Sequence, residues 1–279
     1  MFAAQTSARR LKRGTAAVQR GDVPGAREAF SDALRTARLG EAWCQAGDAA
    51  SSLGDLERDA GNLAAAEHHY RIGAVQYRRA PRSARTVGGR VRCLEELGDV
   101  LLAQARPWDA YRVFQEGADA AGVVDPARPA GEADGPVFVT REDLRWTSHL
   151  ATAAQAAGRR RLAAEHYETV LAGCERRRDV AGQILCWQGL AHLAAADMAW
   201  PEAAHALTSA SSLYSSLPDP EVHTDEWVAC LRELGRVCKT LGRRDEQIRV
   251  FKLAVRIEQI GAGVAPGSET MAGDEHRDH

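Results

Sequence analysis

Apolar and small residues are spaced at helical intervals along almost the whole chain, and one arrangement of small and large positions recurs six times. The stretch LEELGDVLLAQARPWDAYRVFQEGA, Leu94 to Ala118, shows the unit. Gly98 stands inside an otherwise good helix, where it costs about 0.5–1 kcal/mol relative to alanine. Gly14, Gly54, Ala151, Ala191 and Gly235 hold the equivalent place. Twelve residues beyond each small position lie Ala26, Ala66, Ala110, Ala163, Ala203 and Gln247. Four further on come Phe30, Tyr70, Phe114, Tyr167, Leu207 and Phe251. Between the first two sets runs a turn, usually with glycine: QRGDVPG, DAGNLAA, QARPWDA, AAGRRRLA, DMAWPEA and TLGRRDE.

Each unit therefore predicts a helix–turn–helix hairpin. Antiparallel helices approach closely only where one presents a hydrogen or a methyl group. The small residue of the first helix is expected to face the alanine of the second, with the large ring wedged against the next hairpin. Burying the large neighbours offsets the glycine, at about 1.5–3 kcal/mol for each apolar side chain.

This pattern resembles the tetratricopeptide repeat (TPR) family, whose units carry a bulky residue, Leu-Gly, another large residue, then alanine, an aromatic and a small residue. Leu94, Leu97-Gly98, Leu101, Ala110, Phe114 and Gly117 match best. Leu231, Leu234-Gly235, Phe251 and Ala254 follow, as do Trp187, Leu190-Ala191, Ala203, Leu207 and Ala210. Gln247 in place of alanine, and Arg13 in place of leucine, depart from the pattern. The resemblance spans about residues 8–260. It implies an all-α, right-handed superhelical solenoid of antiparallel hairpins whose first helices line a concave groove.

The period exceeds the roughly 34 residues usual in that family. Gly14 to Gly54 is 40 residues and Gly54 to Gly98 is 44; Ala151 to Ala191 is 40 and Ala191 to Gly235 is 44. Two three-hairpin halves thus share a rhythm across a longer step of 53, which reads as internal duplication. The organisation expected is repeats 1–3 over residues 1–121, a loop rich in proline and glycine over 122–140, repeats 4–6 over 141–260, and a disordered tail over 261–279. Thr140 is a candidate N-cap, with Glu142 and Asp143 favourable in the following first turn. SLPDPEVHT breaks the helix before Trp227. The final helix, DEQIRVFKLAVRIEQI, is apolar over more than one stripe, and no end-capping helix follows Ile260 before the tail. That exposure points to docking on another protein or on a second copy.

The implied fold directs attention to first-helix positions not used for packing. Asp48, Ser51, Asp55, Arg58, Asp59, Arg92, Glu95 and Asp99 form a mainly acidic set. Arg145, Ser148, Thr152, Gln155, Gln188, His192, Arg232, Arg236 and Lys239 form a second set, basic toward its end. Opposed charges of this kind orient a bound peptide or protein segment. Arg232, Arg236 and Lys239 stack like charges on one helical face, which is mildly unfavourable and predicts an anionic partner there. The lysine/asparagine set with which some tetratricopeptide adaptors hold a terminal carboxylate is missing, so that specificity is not carried over.

Composition narrows the function. A net charge of −2 gives no global basic field for nucleic acid or anionic membrane, and no apolar run is long enough to cross a bilayer. The arginine clusters RRLKR, RRAPRSAR, GRRRL and ERRRD lie near helix ends and turns without interleaved aromatics, which argues against RNA. The six cysteines form no CxxC pair and read as small buried thiols in a reducing, cytoplasmic setting. The basic N-terminus fits the first repeat better than a transit peptide, and the strong preference for arginine over lysine suggests a GC-rich bacterial gene. His68, His69 and His166 fall at related second-helix positions and read as exposed residues, since HExxH is absent and no cofactor or metal is called for. GAGVAPG lacks the flanking strand and helix of a dinucleotide site. Trp43, Trp146, Trp187 and Trp227 are expected in the core. The sequence therefore predicts a non-catalytic scaffold or adaptor that binds a protein partner. A receptor module for a short peptide or small molecule, and an RNA-binding repeat, are the alternatives.

Overall fold

The computed structural model describes residues 2–122 and 141–261, apart from the side chains of Arg141 and Leu144. The predicted loop from residue 123, the Thr140 cap and the tail from residue 262 lie outside the described residues. Among those described, every regular element is helical. The chain divides into two compact units, residues 1–169 and 170–279.

In the first unit, α1 (Phe2–Gln19) pairs with α2 (Val23–Leu39), α3 (Trp43–Asp59) with α4 (Leu63–Arg79), and α5 (Ala84–Ala103) with α6 (Pro107–Ala121). α7 (Arg141–Ala156) then packs on α6. α8 (Arg160–Arg177) carries the division between the units. The second unit pairs α9 (Val180–Ala196) with α10 (Trp200–Tyr214) and α11 (Thr224–Thr240) with α12 (Arg244–Gly261). The break before Trp227 is a short 3-10 turn, Pro220–His223.

The hairpin turns share one backbone solution. Seven residues after each small position stands a residue in the left-handed region: Gly21, Gly61, Ala105, Gly158, Met198 and Gly242. Its amide bonds back to the last helical turn, and the next amide reaches further, as in Asp22 N to Ala17 O (3.0 Å) and Arg106 N to Leu101 O (2.9 Å). These paired bonds satisfy carbonyls that a helix end otherwise leaves open. Proline then occupies the opening turn of α2, α6 and α10, where a missing amide proton costs nothing. Asp22 and Asp179 cap α2 and α9 through the amides of Gly25 (2.9 Å) and Gly182 (3.0 Å).

The small positions sit against rings. A β-carbon on Gly235 would fall 2.7 Å from Phe251, and Gly14, Gly54 and Gly98 face Phe30, Tyr70 and Phe114 in the same way. Each ring therefore lies across the glycine of its own hairpin, where the sequence pattern had put alanine opposite it. Phe114 also touches the next hairpin, stacked at 4.8 Å on His149 and edge-on to Trp146. The second-helix alanines Ala26, Ala66, Ala110, Ala163 and Ala203 are completely buried, which explains why they are small.

Trp146 is fully buried, and Trp43, Trp187 and Trp227 are partly so. Five of the six cysteines are buried free thiols and Cys44 is half-buried. His166 differs from its expected exposure. It is buried and shares a 3.1 Å hydrogen bond with the hydroxyl of Tyr111 on α6. On α12 only Ala254 and Ile257 are buried, while Ile248, Leu253, Val255 and Ile260 remain exposed.

Candidate functional site: the first-helix faces

In the first unit the polar face of α3 is bridged to α5, and that of α5 to α7. Arg85 reaches Asp48 (2.7 Å), Arg92 reaches Asp55 (2.5 Å), and Arg58 pairs with Glu96. Glu95 accepts from Arg145 (3.1 Å) and lies 3.2 Å from His149 Nε2. These contacts set the first helices side by side, and they neutralise most of the acidic set. Asp59 stays exposed beside Arg58, at 3.2 Å. Asp99 has no ion pair among the described residues, and partial desolvation beside Glu96 and Glu95 raises its carboxyl.

Second helices anchor the same face through tyrosine hydroxyls. Tyr70 donates to Asp55 (2.8 Å), Tyr77 to Asp48 (2.6 Å) and Tyr167 to Gln155 (2.9 Å). Burial, reinforced by the facing carboxylates, holds the Tyr70 and Tyr77 hydroxyls protonated well beyond the usual range. Asp55 thus joins three helices, accepting from Tyr70 on α4 and Arg92 on α5. Ser51 is buried and unavailable to a partner. On α7 Ser148 is half-buried and Thr152 exposed, and Thr152 donates to the Ser148 carbonyl (3.0 Å). Arg145 lies over the buried ring of Trp146, 5.7 Å from its centroid.

The second unit is arranged differently. His192 on α9 lies 3.4 Å from Glu233 on α11, which places these two first-helix faces together. The Glu233 hydrogen bond raises the His192 imidazole, and the same bond lowers the Glu233 carboxyl. Gln188 donates to the Tyr214 hydroxyl (3.2 Å), and Arg232 pairs with Glu258 of α12 (2.5 Å). Arg236 and Lys239 are exposed and have no ion pair among the described residues. The like-charge stack of the sequence therefore resolves into one paired and two available cations. Sequence reasoning passed over His149, Glu96 and Glu233. Their signal was position on a first helix opposite a charged residue one hairpin away.

Among the described residues no group of three histidine, cysteine or acidic side chains could hold a metal ion, and no helix is long and apolar enough to cross a membrane.

The fold defines a class, the TPR-like helical repeats. Three solved structures illustrate it. BtubC (BKLC) from P. vanneervenii is 16% identical, with a TM-score of 0.63 and 100% of both chains covered. The TPR-like repeats of a kinesin light chain from Podosopora anserina are 18% identical, with a TM-score of 0.55 over 76% of this chain and 94% of that one. The apo form of RapI is 10% identical, with a TM-score of 0.59 over 91% and 75%. At such identities the likeness concerns the fold. No family profile matches the sequence, and no curated protein is significantly similar to it.

Proposed function

We propose that the chain is a non-catalytic TPR-like scaffold or adaptor, acting in the bacterial cytoplasm, which holds an anionic segment of a protein partner against first helices. The observation that carries this reading is the pair of exposed cations, Arg236 and Lys239, which have no ion pair among the described residues while their neighbours Arg232 and Glu233 are engaged. A carboxylate-rich segment meeting them displaces no internal ion pair. By contrast, a charged ligand on the bridged face of the first unit has to compete with Arg92–Asp55 and Arg58–Glu96. Gln188, on the α9 face that His192–Glu233 joins to α11, offers hydrogen bonds to a peptide backbone.

The test is affinity capture with the intact chain and with Arg236→Glu/Lys239→Glu, both residues being exposed. A partner recovered only by the unaltered chain, with unchanged melting of the variant, supports the reading. Equal recovery overturns it, and a melting point lowered by many degrees assigns the two side chains to the fold instead. The exposed stripe Ile248, Leu253, Val255 and Ile260 supports a second contact, self-association through α12. A concentration-independent monomer mass in light scattering removes that part.

A further inference from the structure

Leu53 lies about 200° around α3 from Asp55, on the opposite side from the bridged face. There α2, α3 and α4 line an open cavity of about 470 Å³. Its floor is apolar: Leu34 and Leu53, both buried, and the half-buried Trp43. Its charged groups are all basic. Arg35, Arg38 and Arg79 line it together with His69, and no carboxylate does.

Three further observations show that Arg38, Arg79 and His69 are not consumed by the fold. Arg35 is paired with Asp32 (2.6 Å), but Arg38 and Arg79 have no ion pair among the described residues. The Arg79 guanidinium is held 5.4 Å from the centroid of the Trp43 ring, so it hangs over the apolar floor. His69 Nδ1 is buried without a hydrogen-bond partner among the described residues, and burial lowers its imidazole, which leaves it a neutral polar group. Leu39, 84% exposed, extends the apolar surface at the rim.

We propose that this cavity binds a small amphipathic carboxylate, its acyl or aryl body on Leu34, Leu53 and Trp43 and its head held by Arg38 and Arg79. The volume lies within the range of small-molecule sites, about 300–1,000 Å³. A free phosphate would leave the apolar floor wet. An uncharged apolar ligand would bury two guanidinium groups without a counter-charge. A protein partner needs a far larger surface than this one cavity provides.

Decanoate, kept below its micelle concentration, is the probe, titrated into the intact chain by calorimetry and tryptophan fluorescence. Saturable binding is expected, weakened at least tenfold by Arg38→Glu/Arg79→Glu and unchanged by the charge-matched exposed control Arg9→Glu/Arg112→Glu. Trp43→Phe removes the fluorescence change while calorimetric binding persists, which locates the ligand. Decanol is expected to bind at least tenfold more weakly than decanoate. Equal binding of decanol, equal binding by the double arginine variant, or a fluorescence change that survives Trp43→Phe overturns the proposal. So does binding of a Leu/Glu-rich peptide through Arg38 and Arg79 when decanoate fails to bind.

Discussion

The Tyr70 ring lies directly against the backbone of Gly54, so that a β-carbon there would stand 2.6 Å from Cε1. The ring is fully buried and tied by its hydroxyl to Asp55 on the same helix as the glycine, so it has no room to withdraw. Gly54→Ala is therefore expected to destabilise by about 1–3 kcal/mol through overpacking, more than the roughly 1 kcal/mol that alanine restores in helix propensity. Gly88, on α5, supplies the opposite case, because a β-carbon there meets nothing within 4 Å. Gly88→Ala is expected to stabilise by about 0.5–1 kcal/mol. Denaturant unfolding of both variants checks the pair, and two changes of the same sign would refute the packing argument.

The six hairpin turns use the same left-handed position, and two of them do so without glycine, at Ala105 and Met198, both with φ of 57°. A side chain in that region costs about 1–2 kcal/mol, part of which glycine returns through its freer unfolded state. Met198 is also 72% exposed, so little packing is lost with its side chain. Met198→Gly is expected to raise stability by about 0.5–1 kcal/mol, and the reciprocal Gly61→Ala to lower it by a similar amount. Unfolding midpoints at constant m-value decide between gain and loss.

Asp55 ties α3 to two neighbours at once, and this makes its contacts dependent on each other. Removing Arg92 leaves the Tyr70 hydroxyl as the principal donor to a half-buried carboxylate. A double-mutant cycle over Tyr70→Phe and Arg92→Ala is expected to give a coupling of about 0.5–1 kcal/mol, with the part due to Arg92 shrinking as salt is raised. Additive losses would show two independent surface contacts.

The repeat was legible because packing constrains single positions strongly. A glycine under a ring, an alanine with no exposed surface and a left-handed turn residue each tolerate few alternatives, so Gly54, Ala66 and Gly61 mark themselves in one sequence. The charges of the first helices were legible as a set but not as pairs. Arg92 reaches Asp55 across 37 positions, and nothing in either residue's local sequence specifies that partner. The basic cavity was invisible for a related reason. Arg38 and Arg79 sit near the ends of α2 and α4, where arginine also serves the helix dipole, and only the fold brings both beside Trp43. His166 was misjudged because its burial and its bond to Tyr111, 55 positions away, depend on tertiary packing.

The His192–Glu233 pair gives the second unit a defined response to pH. Its folded imidazole is raised above 6.5, so its contribution is fully present below that value and is lost as pH rises through the folded pKa. The Glu233 carboxyl is lowered below 4.5, so its contribution is present above that value and is lost as pH falls through the folded pKa. Both shifts describe one hydrogen-bonded pair, whose support is therefore greatest between the two unfolded values. The His192 side chain is 54% exposed, and solvent screening holds the effect below about 1 kcal/mol. His192→Gln is expected to flatten the stability profile of the chain between about pH 5 and pH 8. Titration of the imidazole by NMR supplies the direct measurement: Glu233→Gln should return the His192 midpoint toward 6.5. A midpoint unmoved by that substitution would show that the carboxylate does not hold the ring.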